Sequence, residues 1–399
     1  MRLQQDRYIL LVLSFSLFCC MLGVGVISPI LPLYAVQLGA GGGLLGLVLG
    51  IFSLSRLGCS LVAGGLADRL ERKYLILFGL SVYTLSSVAY LAVTSVWHMV
   101  AIRFFNGMGS AFVIPVAMSI GSDVSKKGGE GKFFGFLQMA LFAGIGTGPL
   151  ISGLMADWLG LQAPFLVMTS LTLMALVGVA WGLPTGLPVS SSSHVGSMKV
   201  YRALLRDPVL CRVYVYQFSS ALGRGSMLMF LPLIASEAHL TFFKIGVVLS
   251  IVSLTTGFLQ RFTGLLADRM PKNRLVWVGG TITSGILFMM PAFRSFPSLL
   301  LGALIFGLGA ATSSPSIISM AAIRGRVFGT GRTMGMFNIA FGLGMTLGPL
   351  LAGYIREVGI LSSPFVPIGG ILLGCTSLFI FDHPFRGLDD LVEEGGPCV

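Results

Sequence analysis

Gly64-Gly65-Leu66-Ala67-Asp68-Arg69 returns 200 residues later as Gly264-Leu265-Leu266-Ala267-Asp268-Arg269. The same offset holds well beyond this pair. Pro32 meets Pro232, and Gly107, Gly109, Ala111 and Pro115 meet Gly307, Gly309, Ala311 and Pro315. Gly144, Gly148, Pro149 and Gly153 meet Gly344, Gly348, Pro349 and Gly353, and Pro164-Phe165 meets Pro364-Phe365. No gap is needed to align them. A fixed period of this kind marks a duplicated structural unit.

Composition says what the unit is made of. Of the 399 residues 55% are hydrophobic and only 10% are charged. A soluble chain carries about 25% charged residues. So few charges cannot cover a surface facing water, so lipid must cover most of it. Apolar runs lie near 9–34, 42–66, 74–94, 98–120, 133–156 and 163–183, then near 209–235, 245–267, 275–293, 298–322, 333–355 and 361–381. The expected fold is therefore all-α and integral to the membrane, with twelve transmembrane helices in two pseudo-symmetric six-helix bundles. Residues 1–183 form the first bundle, 184–208 a linker containing Ser190 to Ser193, and 209–399 the second bundle with a short cytoplasmic tail. An even number of spans per copy inserts both copies in the same orientation, with a pseudo-twofold axis along the membrane normal. The first apolar run is too long for the core of a cleavable leader, so none is expected.

The net charge of +11 raises the question of a nucleic-acid partner. The placement of the charge argues against one. Of the 26 Lys and Arg, four lie inside spans and only Lys244, Arg294 and Arg356 fall in one set of loops. The other nineteen fall at the termini and in the alternate loops, a strong positive-inside bias. Both termini are expected in the cytoplasm, and the chain in the inner membrane. The six cysteines show no CxxC spacing, so neither a disulfide framework nor a metal site is expected.

Several of these residues form motifs that resemble the major facilitator superfamily over nearly the whole chain. Gly64 to Lys73, including Asp68, Arg69 and Arg72, looks like its motif A, with a weaker copy at Gly264 to Arg274 that keeps Asp268 and Arg269. Glu71 stands where the family usually has glycine. An acid inside a basic loop is not needed for orientation, which uses only Lys and Arg. Asp68 and Asp268 therefore suggest a state-dependent latch between helix ends, where an acid is favoured by the helix dipole. Gly64 is expected to allow a close backbone approach there. Arg103, Asn106, Gly107 and Gly109 resemble motif B, with Gly107, Ala111 and Pro115 repeating every four residues on one face. Gly144, Gly148, Pro149 and Gly153 resemble motif C, a helix-hinge signature, and Gly344, Gly348, Pro349 and Gly353 repeat it. Pro29 to Tyr34 and Leu38-Gly39 are similar to the first-span motif of twelve-span drug exporters. The resemblance implies a drug:proton antiporter that moves a small molecule, with protons as a coupling ion, no cofactor, and a monomeric protein in the bilayer.

Charge inside the spans gives a second, independent signal. Arg56, Arg103, Arg224 and Arg261 lie within apolar runs, and no Asp or Glu matches their depth. An arginine at mid-span costs about 3 kcal/mol or more unless it is paired or faces water. Arg261 is close enough to a span end to snorkel. Arg224 shares a helical face with Gln217 and Ser220, and Gln138 and Asn338 are repeat mates expected to face inward. The expected substrate cavity comprises Arg56, Arg103, Gln138, Gln217, Arg224 and Asn338. A basic cavity also fits an organic anion as cargo. A membrane-embedded enzyme would need clustered His, Cys or carboxylates within spans. His98, His194, His239 and His383 all sit in loops or at span edges. An ATP-driven pump would need a phosphate-binding loop of the Gly-Lys-Ser/Thr type, and the chain has none.

Overall fold

The computed structural model describes residues 2–67, 70–124, 130–185, 198–359 and 363–380. Backbone in hydrocarbon must satisfy its own hydrogen bonds, and helices do so within one segment. The described residues are accordingly helical almost throughout. The first repeat holds α1 (Arg2–Ile27), α2 (Ile30–Gln37), α3 (Gly42–Ala67), α4 (Arg72–Ala89), α5 (Val96–Val124), α6 (Glu130–Leu159) and α7 (Ala163–Gly182). The short α8 (Met198–Arg206) follows. The second repeat holds α9 (Pro208–Glu237), α10 (Phe242–Arg269), α11 (Lys272–Met289), α12 (Phe296–Phe328), α13 (Thr330–Val358) and α14 (Phe365–Ser377).

The 200-residue offset is visible in the helix starts. Arg72 and Lys272 open α4 and α11, and Val96 and Phe296 open α5 and α12. Single 3₁₀ turns at Tyr90–Ala92 and Met290–Ala292 close α4 and α11 alike. The copies differ at their first span. Pro29 has no N–H to give, and the chain breaks into α1 and α2 there, whereas α9 runs unbroken through Pro232. Among the described residues eleven helices are long and apolar enough to cross a bilayer, and α14 is a shorter apolar helix.

Local sequence sets the helix ends. Asp207 caps α9, its Oδ1 accepting from the N–H groups of Val209 and Leu210 at 3.1 and 3.0 Å, with Pro208 at the first helical position. Its Oδ2 pairs with Arg324 of α12 at 2.9 Å, tying two helix ends of the second repeat. Glu71 precedes α4 with φ −64° and ψ 120°, and Pro271 precedes α11 with φ −56° and ψ 119°. Both conformations are open to any L-residue, so the missing motif-A glycine costs nothing here. Gly39 turns at φ 85°, while His239 makes the equivalent turn at φ 54° with a side chain.

Packing follows the repeats. Within the first, α1 lies against α6 and α7, α5 against α3 and α4; within the second, α9 lies against α13 and α14, α12 against α10 and α11. Each set has an apolar centre. Tyr90 stacks on Phe165 with ring centroids 4.8 Å apart, and Tyr216 meets Phe379 edge-on at 5.6 Å. The two sets meet along two crossing seams, α3 on α13 and α6 on α10. Exposed Trp97, Trp158 and Trp181 sit near helix ends, as interfacial aromatic anchors do.

Candidate translocation site

The seams are built on small residues. A Cβ on Gly46 of α3 would lie 2.7 Å from both the Pro349 carbonyl oxygen and Leu350 Cα of α13. A Cβ on Gly246 of α10 would strike the Pro149 carbonyl oxygen of α6, the same contact one repeat away. Gly42 meets Gly353 and Gly153 meets Phe242 in the same backbone-to-backbone manner. Small residues let helix backbones approach this closely. The remaining motif-C glycines work inside each repeat. Gly144 and Gly148 pack α6 on α1 at Phe18 and Gly25, and Gly344 and Gly348 pack α13 on α9 at Phe218 and Leu222. The structure thus gives the hinge glycines a close-packing role.

The seams are closed at one end only. Leu57 touches Gly342 across α3 and α13, and Phe142 touches Gly257 across α6 and α10. Seven residues further on, on the same helical faces, Gly64, Gly264 and Gly335 have nothing within 4 Å of a Cβ position. The two helix sets therefore diverge toward the face on which the chain starts. Gly64 makes no close backbone approach in this arrangement, contrary to the sequence expectation, because the helix ends it would join stand apart. Asp68 and Arg69 lie outside the described residues, and the side chain of Asp268 does also. Arg72 is buried at 2% exposure and donates to the carbonyls of Ala67 and Ser119 at 3.4 Å, tying α4 to α3 and α5. Lys73 is half-buried and Arg269 exposed.

Within the second repeat, Arg224 of α9 lines a small polar recess with Tyr216, Gln217 and Ser220 of the same helix, Ser313 and Ser314 of α12 and Phe341 of α13. The recess has about 40 Å³ of space. That holds a few waters or the polar end of a solute, since one water needs roughly 10–15 Å³ and a drug-sized ligand about 300 Å³ or more. Gln260 donates to Ser314 Oγ at 3.3 Å, leaving the hydroxyl proton of Ser314 free to donate into the recess.

Arg56 and Arg103 belong to the first repeat, not to this recess. Arg103 is 6% exposed, its Nε donates to the Val48 carbonyl at 3.4 Å, and its guanidinium lies 4.5 Å from the Phe52 ring centroid. Arg56 and Arg103 both neighbour the buried Tyr83. Arg103 Nη1, Tyr83 Oη, Tyr90 Oη and both amide atoms of Asn106 are buried with no hydrogen-bond partner among the described residues. Gly107 packs on Phe52 and Ser55, and Gly109 on Gly79 and Tyr83, so motif B also welds α5 to its neighbours. Asn338 is exposed and outside the Arg224 walls; the side chain of Gln138 lies outside the description, and Arg261 is exposed. The expected cavity thus separates into an Arg224–Gln217 recess and an Arg56–Arg103 cluster. Tyr216, Ser313, Ser314 and Phe341 were missed. The run Thr312-Ser313-Ser314 in mid-span was the available signal.

Two helix bundles that meet at one end and splay at the other, each with polar groups among its own helices, define a membrane carrier. The sequence profile of the Major Facilitator Superfamily matches residues 13–216 and again 213–395. The chain belongs to that superfamily, and it is a multi-pass membrane transporter, not an enzyme. An uncharacterized transporter of this type from Methanocaldococcus jannaschii is 27% identical over 361 residues, 90% of this chain and 92% of that protein. A multi-drug resistance efflux pump PmrA homolog from Lactococcus lactis is 28% identical over 345 residues, 83% of this chain and 84% of that protein. A bacterial homolog of the human lysosomal transporter Spinster, in an inward-facing and unoccupied conformation, superimposes with TM-score 0.77 at 14% identity, covering 99% of both chains. It shares the fold.

Proposed function

We propose that the protein exports an amphiphilic, drug-like small molecule, and that the Arg224 recess takes the polar end of that molecule. The observation that carries the reading is an arginine lining a polar recess walled by α9, α12 and α13 of the second repeat, with no acid beside it among the described residues. The efflux function named for the Lactococcus lactis relative supports export. Residues 1–183 and 209–399 rock as two bodies joined by the linker 184–208. Protons drive the exchange, and the carrier works as a monomer. Both termini face the cytoplasm of an inner membrane, so the arrangement described above opens inward. When the cytoplasmic ends close, Gly64, Asp68, Arg69, Arg72 and Lys73, with Asp268 and Arg269, latch them, while the glycines of α6 and α13 serve as hinges.

A second reading, transport of an organic anion, is favoured by the same recess. The arginine fork suits a carboxylate or phosphate. Transport in proteoliposomes separates the two. Wild type, Arg224→Lys and Arg224→Ala are compared on anionic, neutral and cationic compounds, with and without a pH gradient. The binding role predicts at least about a tenfold loss for Arg224→Ala on compounds with an acidic group, on the scale of a charge-assisted hydrogen bond, and partial retention by Arg224→Lys. Equal transport of a cationic drug by wild type and Arg224→Ala, with no anion moved by either, would remove the role.

A further inference from the structure

At the closed end of the seams, two carboxylates cross from one repeat to the other. Asp157, at the end of α6, accepts from the first N–H groups of α10: Oδ1 from Phe242 at 3.0 Å and Oδ2 from Phe243 at 2.9 Å. Glu357, at the end of α13, accepts from the Gly43 N–H at the start of α3 through Oε2 at 2.7 Å. These residues are mates under the 200-residue offset, and so are Gly43 and Phe243. Each repeat thus offers an acid to the opening helix of the other, where unpaired N–H groups and the helix dipole attract negative charge. The arrangement sits directly on the Gly42–Gly353 and Gly153–Phe242 contacts, where no side chain fits between the backbones.

We propose that Asp157 and Glu357 are paired positioning residues of the transport cycle. They hold the seam end shut while the opposite end is open, and they let go when the carrier reorients. Neither acid has another hydrogen-bond or ion-pair partner among the described residues. Arg356, beside Glu357, is taken by Glu237 at 2.8 Å, and Lys244, beside Phe243, lies over the Phe296 ring at 5.7 Å. Both carboxylates are exposed, so the interaction is screened and reversible, as a latch requires. Pairing is two-fold, so either cap alone holds part of the closure. The inference is independent of what is carried.

The test reads conformation directly. Spin labels are placed through Gln37→Cys and Ser236→Cys, at the closed end of α2 and α9, in a background whose native cysteines are replaced. Distances between the labels are measured in nanodiscs for the parent, Asp157→Asn, Glu357→Gln, the double variant and Asp157→Glu. Asparagine has one accepting oxygen for two N–H groups and presents its own donor to the other. The expected result is a roughly three- to tenfold rise in the population with long distances for each neutral variant, on the scale of a lost helix cap. The double variant is expected to exceed either, and Asp157→Glu to stay near the parent. Thermal unfolding in the same nanodiscs checks that the folded protein is being read. Unchanged distance distributions in the folded double variant would overturn the proposal, as would equal opening by Asp157→Glu and Asp157→Asn.

Discussion

Two residues of one type carry opposite structural lessons. Asp207 caps a helix start within its own repeat and pairs with Arg324, so it holds α9 in place. Asp157 caps a helix start in the other repeat, so its contact exists only while the seam end is shut. The same logic gives a prediction for Asp68 at the opposite end. Gly64 faces open space here, and the latch reading proposed above assigns the contact of Asp68 to the other arrangement. Asp68→Asn is expected to insert normally, slow turnover severalfold and raise the population described here, on the scale of a helix-terminus interaction. Cysteine-accessibility labelling at the chain-start end checks this, and a labelling pattern and turnover equal to wild type would end the latch reading. Sequence alone located Asp68 and Asp268 through the repeat. The same offset pairs the acids Asp157 and Glu357, but it does not give their partners, which are backbone N–H groups that no residue code records. Glu71 stands where motif A usually has glycine, and φ −64° at that position is open to any L-residue, so the turn does not require one.

The helices themselves were legible because lipid imposes one rule on every backbone group. Their ends were less so. The span expected over 9–34 is broken at Pro29, and the mate of that break in α9 is continuous although Pro232 lies inside it. The mate of Pro29 is Met229, which keeps its N–H, whereas the mates Pro32 and Pro232 both lie inside helices, so the break falls at the one proline of this span that the copies do not share. Glycine spacing predicted close approach but not between which helices. Here Gly46 and Gly246 prove to be cross-repeat contacts, and Gly144 and Gly344 internal ones. The distinction predicts different consequences. Gly46→Ala and Gly246→Ala force α3 from α13 and α10 from α6, at about 1–3 kcal/mol each as overpacking of a tight contact. Transport is expected to fall at least about fivefold with expression retained, on that same scale. Gly285→Ala in α11, where a Cβ meets nothing within 4 Å, is expected to transport as wild type. Equal activity of all three variants in proteoliposomes would mean the seams do not move as tight contacts.

The whole chain reads as one unit written twice, and the offset of 200 residues was the strongest statement the sequence made about it. Orientation is the whole-molecule prediction that follows from nineteen basic residues on one side. Reporter fusions at Gly186 and at the C-terminus are both expected to report cytoplasm, and a periplasmic signal from either would invert the reading of which way the carrier is open. The Arg224 recess was only half legible. Arg224 and Gln217 stand out as polar residues in an apolar run, while Tyr216 and Phe341 look like any core aromatic until the helices around them are placed. The seam glycines have one more consequence. Where backbone rests on backbone, as at Gly42–Gly353 and Gly246–Pro149, no gap remains for a file of water molecules. A closed end sealed by backbone contact is what lets a carrier sit in a membrane in many copies without leaking protons and small ions through that end.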